Sequence, residues 1–275
     1  MPELPEVETT IRYLRPALIG SKINAITLAP TASSIFNVPL SEVLMRLNGN
    51  QVNSIERKGK FMLFDFIDQQ KAVGHLRMSG RYLVGANLQI PHLHFTLDLA
   101  NGQQVSYIDQ RRFGTFHFVD SFADYPGLQR LGPDALLDEI SAQKLHSSWS
   151  RRQQGVYQVL LDQSLIAGLG NIYVNELLFL AKANPQTAAR DLSLTEVERI
   201  VSLIKPLLQK ALSLKGTTLI DSLYKDPEGS NGEFAQMLTV YGRVDQKCKL
   251  CGYKIERLKI GGRSAFFCPN CQRLA

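Results

Sequence analysis

All four cysteines of this 275-residue chain lie at its C-terminal end, as Cys248-x-x-Cys251 and, after sixteen intervening residues, Cys268-x-x-Cys271. Two such pairs at this separation have the spacing that gathers four thiolates around one zinc ion. Four protein ligands leave the metal no open position, so the expected Zn2+ is structural, holds a small β-hairpin and takes no part in hydrolysis. A redox dithiol is the alternative. A disulfide-stapled secreted fold would not confine its cysteines to one tail. Between the pairs, Lys259-Ile260-Gly261-Gly262-Arg263-Ser264 reads as a hairpin tip presenting Arg263.

The other end opens Met1-Pro2-Glu3-Leu4-Pro5-Glu6-Val7-Glu8. A small second residue permits removal of the initiator methionine, which leaves Pro2 as a secondary amine beside the Glu3 carboxylate. An α-amino group titrates near ~8 and a lysine near ~10.4, so a terminus keeps the larger uncharged, nucleophilic fraction at neutral pH. Proline's ring nitrogen is more basic, which erodes that advantage unless the site desolvates it. Its adduct with an electrophilic carbon is an iminium that cannot shed its charge by losing a proton, which favours elimination chemistry. Pro5 suits the first turn of a helix. Val7, Ile11, Leu14 and Leu18 then fall on one helical face, up to a stop at Gly20. The bland alternative is a proline-rich terminus that frays.

The chain is long enough for two or three folded units. Its 31 Lys and Arg against 25 Asp and Glu give a net charge of +6, which points weakly to a polyanionic partner. No charged and apolar leader opens the sequence, and no apolar run approaches membrane-spanning length, so a soluble cytoplasmic protein is expected.

From Ser21 to about Phe118, short β-rich runs alternate with turn pairs such as Asn48-Gly49 and Asn101-Gly102. The runs include Lys22 to Leu28, Phe61 to Ile67, Leu93 to Leu99 and Thr115 to Val119, and their spacing predicts an antiparallel sandwich or barrel. Lys60 follows a glycine and precedes a strand, where it could project into a site or simply be solvated. Met78 sits beside basic groups in His75-Leu76-Arg77-Met78-Ser79-Gly80, either at a functional turn or as a core residue. Arg111-Arg112-Phe113-Gly114 sets cations next to an aromatic, a combination suited to holding phosphates while a ring wedges between bases. After Leu131-Gly132-Pro133, helices are expected from about Glu139 to His146, Val156 to Asp162, Asn171 to Ala183 and Ser193 to Leu214. The last begins at a Ser193-x-x-Glu196 capping box and should bend at Pro206. In Leu165-Ile166-Ala167-Gly168-Leu169-Gly170-Asn171, two glycines make a tight turn that could grip a phosphate or merely join helices. Lys215 to Gln236 reads as too polar and glycine-rich to pack, and as a mobile segment.

Pro2 to Glu8 resembles the N-terminal signature of the bacterial formamidopyrimidine-DNA glycosylases, and the remaining motifs follow in that family's order. The resemblance implies an α+β multi-domain fold. An N-terminal helix with an antiparallel β-sandwich occupies 1–132, a helical helix-two-turn-helix domain with a lesion-capping loop 133–238, and a zinc-bound hairpin 239–275. It also implies a bifunctional glycosylase and lyase of base excision repair that everts an oxidised purine, 8-oxoguanine or a formamidopyrimidine, from duplex DNA. Pro2 would attack C1′, Glu3 would serve as acid and base, Glu6 would support them, and β and δ eliminations would follow. Lys60 matches the lysine at the damaged nucleotide's phosphate, and Arg263 the hairpin arginine also assigned to late elimination. Met78, Arg111 and Phe113 match the triad that fills the gap left by the everted base. His75, His92, Arg152 and Asn171 complete the expected DNA-binding set. One structural Zn2+ on Cys248, Cys251, Cys268 and Cys271, damaged double-stranded DNA as partner, a monomer and a place at the bacterial nucleoid are implied with it. Two departures stand out: Leu93, where the family has an acidic residue between His92 and His94, and Tyr157-Gln158 in place of a lysine-proline pair near the lesion pocket. An endonuclease VIII-like enzyme for oxidised pyrimidines and a non-catalytic zinc-containing DNA-binding protein are the alternatives.

Overall fold

Pro5 in the first turn, and a Glu6 carboxylate that turns back to the Glu3 N–H, start a helix, α1 (Leu4–Leu18), at the head of the chain. Val7, Ile11, Leu14 and Leu18 are all buried, and Gly20 beyond the end adopts φ +80°. The computed structural model describes residues 2–85, 90–218 and 225–274, and the chain divides into two compact units. One spans 1–129 with 212–235, the other 130–211 with 236–275. Segment 212–235, which the resemblance assigns to the helical domain, thus groups with the N-terminal unit.

Among the described residues, the first unit holds two four-stranded antiparallel sheets. One orders β1 (Ile23–Leu28), β6 (Leu93–Leu99), β7 (Gln104–Ile108) and β5 (Arg81–Val84); the other orders β2 (Val52–Lys58), β3 (Phe61–Phe66), β4 (Lys71–His75) and β8 (Thr115–Val119). Their inner faces bury Phe36, Phe64, Phe95, Tyr107, Phe116 and Phe118 in one cluster with the apolar face of α1. Phe95 stacks on Tyr107 at 5.3 Å between centroids, and Phe116 meets Phe64 at 5.0 Å. Two short helices, α2 (Leu40–Leu47) and α3 (Pro126–Gln129), complete the unit.

The second unit is built from α4 (Ala142–Trp149), α5 (Val156–Leu160), α6 (Asn171–Leu180), most of α7 (Leu194–Ser213) and a hairpin of β9 (Glu256–Ile260) and β10 (Arg263–Phe267). The helix expected from Glu139 starts instead at Ala142, because the Ser141 side chain caps it by accepting the Lys144 N–H at 3.3 Å. That expected to reach Ala183 stops at Leu180, with Lys182 in the left-handed region at φ +55°. The Ser193–Glu196 capping box is formed, and α7 continues through Pro206. Glu176, buried on α6, accepts N–H donors from Thr239, Val240 and Tyr241 at 2.8, 3.0 and 2.8 Å, which ties the entry of the cysteine-rich tail to that helix.

Candidate active site and nucleic-acid interface

In the first unit, Pro2 and Glu3 are both buried at the start of α1, with Glu3 only 2 % exposed. Met1 lies outside the described residues. Glu6 holds this corner: one carboxylate oxygen accepts the Glu3 N–H at 2.8 Å and the other the Thr217 N–H at 2.7 Å. Gly216, at φ +80°, is required there, because a Cβ would come within 2.7 Å of the Glu6 carboxylate. The segment expected not to pack is therefore anchored at both described ends. Thr217, Asp226 and Phe234 are buried, Asp226 accepts the Glu228 and Ser230 N–H groups, and the Val84 N–H donates to Pro227. Polar composition failed as a guide because these backbone donors satisfy the buried carboxylates. The centre of the expected lesion-capping loop, 219–224, lies outside the described residues.

Lys60 sits on the two-residue turn between β2 and β3, where Lys58 pairs with Phe61 and Gly59 takes φ +58°. It is 8 % exposed, so the solvated-lysine alternative fails. Sequence reasoning missed what holds the turn: Arg57, which donates to the Gly59 carbonyl at 2.9 Å and to Glu8 of α1 at 3.0 Å. His75, expected at the DNA, is buried and packs edge-on against Phe61. Burial, then the charges of Arg77 and Lys60, push its pKa down to about 3. The ring is therefore neutral, and since Nδ1 accepts the Arg77 N–H at 2.9 Å, its proton is on Nε2.

Met78 and Phe113 are 41 % and 55 % exposed, and Arg111 is exposed with its guanidinium 5.0 Å from the Phe113 ring centre. The core-methionine alternative for Met78 is thereby excluded. Both turns hang on Asp109, 1 % exposed, which sequence reasoning also missed. Its carboxylate accepts the Ser79 hydroxyl, the Arg111 N–H at 3.1 Å and the Gly114 N–H at 2.7 Å. His92 is exposed at φ +64°, whereas its neighbour His94 is buried.

In the second unit, Asn171 is the first residue of α6 and half-buried. Arg152 is paired with Asp162 at 3.4 Å. Arg263 is exposed where β10 leaves the Gly261-Gly262 turn, whose φ values of +56° and +79° are those of a tight hairpin. The four cysteine Sγ atoms lie within 4.8 Å of one another, with Cys248 and Cys271 3.9 Å apart and Cys251 and Cys268 3.4 Å apart. A tetrahedron with Zn–S bonds of ~2.3 Å has edges of about 3.8 Å. The four sulfurs fit one zinc ion, and no fourth site is left for water.

Three family models match in chain order: Formamidopyrimidine-DNA glycosylase N-terminal domain at 1–116, Formamidopyrimidine-DNA glycosylase H2TH domain at 131–222, and Zinc finger found in FPG and IleRS at 245–274. The Formamidopyrimidine-DNA glycosylases of Symbiobacterium thermophilum and Edwardsiella ictaluri are each 39% identical to this chain over 99% of it, covering 89% and 100% of their own lengths. That of Listeria monocytogenes is 33% identical at 99% and 100% coverage. Among solved structures, a complex of Lactococcus lactis Fpg with DNA containing an abasic site aligns with TM-score 0.90 at 32% identity, over 99% of this chain and 100% of that one. MutM bound to DNA containing carbocyclic 8-oxo-G aligns with TM-score 0.89 at the same identity and coverage.

Proposed function

This chain belongs to the formamidopyrimidine-DNA glycosylase family and is a DNA glycosylase for oxidised purines in base excision repair, and we propose that Pro2 is its nucleophile. The observation that carries this reading is the corner at the head of α1, where Glu6 fixes the Glu3 backbone and, with it, the residue that precedes Glu3. After removal of Met1, the Pro2 nitrogen attacks C1′ of the everted nucleotide, the glycosidic bond breaks and the base departs. Glu3 delivers a proton to the sugar-ring oxygen as the ring opens, leaving an iminium joined to Pro2. Loss of a C2′ proton then expels the 3′ phosphate, and a δ step the 5′ phosphate. Eversion is needed because C1′ is inaccessible inside the stack.

Lys60 pairs with the damaged nucleotide's phosphate, while Met78, Arg111 and Phe113 occupy the space the base vacates. Their exposure on one Asp109-braced pair of turns supports this. Arg263, Asn171, Arg152 and His92 contact the DNA, and neutral His75 offers a hydrogen bond through Nε2. Zinc on the four cysteines fixes the hairpin that carries Arg263. The protein acts as a monomer where the bacterial DNA lies. No helix among the described residues is long and apolar enough to cross a membrane. Duplexes carrying 8-oxoguanine or thymine glycol test the substrate class: 8-oxoguanine opposite cytosine should be excised faster. Preferential release of thymine glycol would place the enzyme with the endonuclease VIII group.

A further inference from the structure

Tyr157 occupies the position where the resemblance leads one to expect lysine, and its side chain is fully buried. Its hydroxyl lies against two groups, the Asn171 side-chain amide and, at 3.0 Å, the Ser264 carbonyl oxygen beside Arg263. A phenol has one proton to give, so which group receives it depends on how the Asn171 amide is turned. The surrounding bonds decide that. The Phe266 backbone N–H can only donate, so the Asn175 atom facing it is Oδ1. The Asn175 Nδ2 then points to α6, where it donates to the Asn171 backbone carbonyl at 2.6 Å and lies 3.3 Å from the Asn171 amide. The Asn171 atom turned to that donor must be an acceptor, Oδ1, and the same Oδ1 meets Tyr157.

We infer that Tyr157 is a positioning residue for DNA binding: its hydroxyl proton, with the Asn175 amide, holds Asn171 Oδ1 inward and so offers Asn171 Nδ2 to a DNA phosphate. The inference rests on the assignment of Asn171 to the DNA backbone. Asn171 begins α6, where the first-turn N–H groups also favour an anion, so an outward Nδ2 adds a donor to a favourable field, whereas an outward Oδ1 would oppose it. A lysine at 157 could not do this through a neutral hydroxyl. The exchange therefore substitutes an oriented neutral donor at Asn171 for a charge at position 157.

The test is binding to a duplex with a tetrahydrofuran abasic analogue, across a range of salt concentrations, by wild type, Tyr157→Phe, Asn171→Ala and the double variant. Zinc content and thermal midpoint serve as folding controls. Tyr157→Phe should weaken binding about fivefold, the size of one neutral hydrogen bond. The slope of log affinity against log salt should not change, because an amide releases no counterion. The double variant should bind no more weakly than Asn171→Ala alone. Asn171→Asp, which sets an oxygen where Nδ2 points, should be worse than Asn171→Ala. Wild-type binding by Tyr157→Phe, losses that multiply in the double variant, or a flattened salt slope, which would place the effect at the Arg263 hairpin, would each overturn the inference. If Asn171→Ala itself binds as wild type while Arg263→Ala does not, the assignment of Asn171 to DNA fails and Tyr157 falls with it.

Discussion

Asp109 collects the Ser79 hydroxyl and the Arg111 and Gly114 N–H groups on one buried carboxylate, which ties together the turns that carry Met78 and Phe113. Asp109→Asn would set an NH2 against at least one of these donors, at a cost of about 1–3 kcal/mol for the group left unpaired. Excision of 8-oxoguanine should fall about tenfold or more, whereas cleavage of a preformed abasic site, with no stacked base to displace, should fall less. Equal losses would show that Asp109 serves the fold alone. His75 gives a second expectation. Its folded pKa of about 3 lies below the ordinary value of 6.5, so between these limits the unfolded chain binds a proton that the folded one refuses. Stability is full above the upper limit and declines as pH falls through the window. Between pH 7.5 and pH 5 this one group should remove about 2 kcal/mol, measured by denaturant unfolding, and His75→Gln should lose that part of the slope. Pro2, Lys60 and Phe113 could be picked out as candidates from the sequence because each stands in a short motif. Arg57 and Asp109 were not, since their partners, Glu8 and Ser79, are 49 and 30 residues away and only the fold reveals them.

At the scale of elements, β6 and β8 run over two of the β-rich runs that the sequence sets between turn residues; β8 alternates buried and half-buried residues throughout, whereas β6 does so only from Phe95 on, because His94 beside it is buried too. Helix ends were read less well, since they turn on local events such as the Ser141 cap and the left-handed Lys182. The hairpin of β9 and β10 was legible from its glycine pair, and its support from the cysteine spacing. Apart from Cys248 and Cys268, its buried cluster holds little more than Ile255 with Phe179 and Val240, too small a core to hold unaided. Cys268→Ser should therefore release the zinc and weaken DNA binding, with metal content and affinity falling together. A retained stoichiometric zinc with unchanged affinity would contradict this.

At the scale of the molecule, the sequence announces a β-rich first part, a helical second part and a metal-bound tail, and the family models follow that order. It does not announce that 212–235 returns to the N-terminal unit. Two of its ties are the Thr217 N–H reaching Glu6 across 211 residues of sequence and the Val84 N–H reaching Pro227, and composition carries no trace of such bonds. The return matters for function, because it closes the corner in which Pro2 and Glu3 are buried. The central claim is that the chemistry starts at that corner, and borohydride reduction during turnover tests it most directly. Added to a reaction on 8-oxoguanine duplex, borohydride should leave protein and DNA covalently joined, and peptide mapping should place the link on residue 2. Pro2→Gly should trap far less while its DNA affinity stays within about tenfold, or ~1.4 kcal/mol. A crosslink mapped to Lys60 or another lysine would contradict the assignment of Pro2, and no crosslink on a duplex that the enzyme cuts would contradict the covalent mechanism itself.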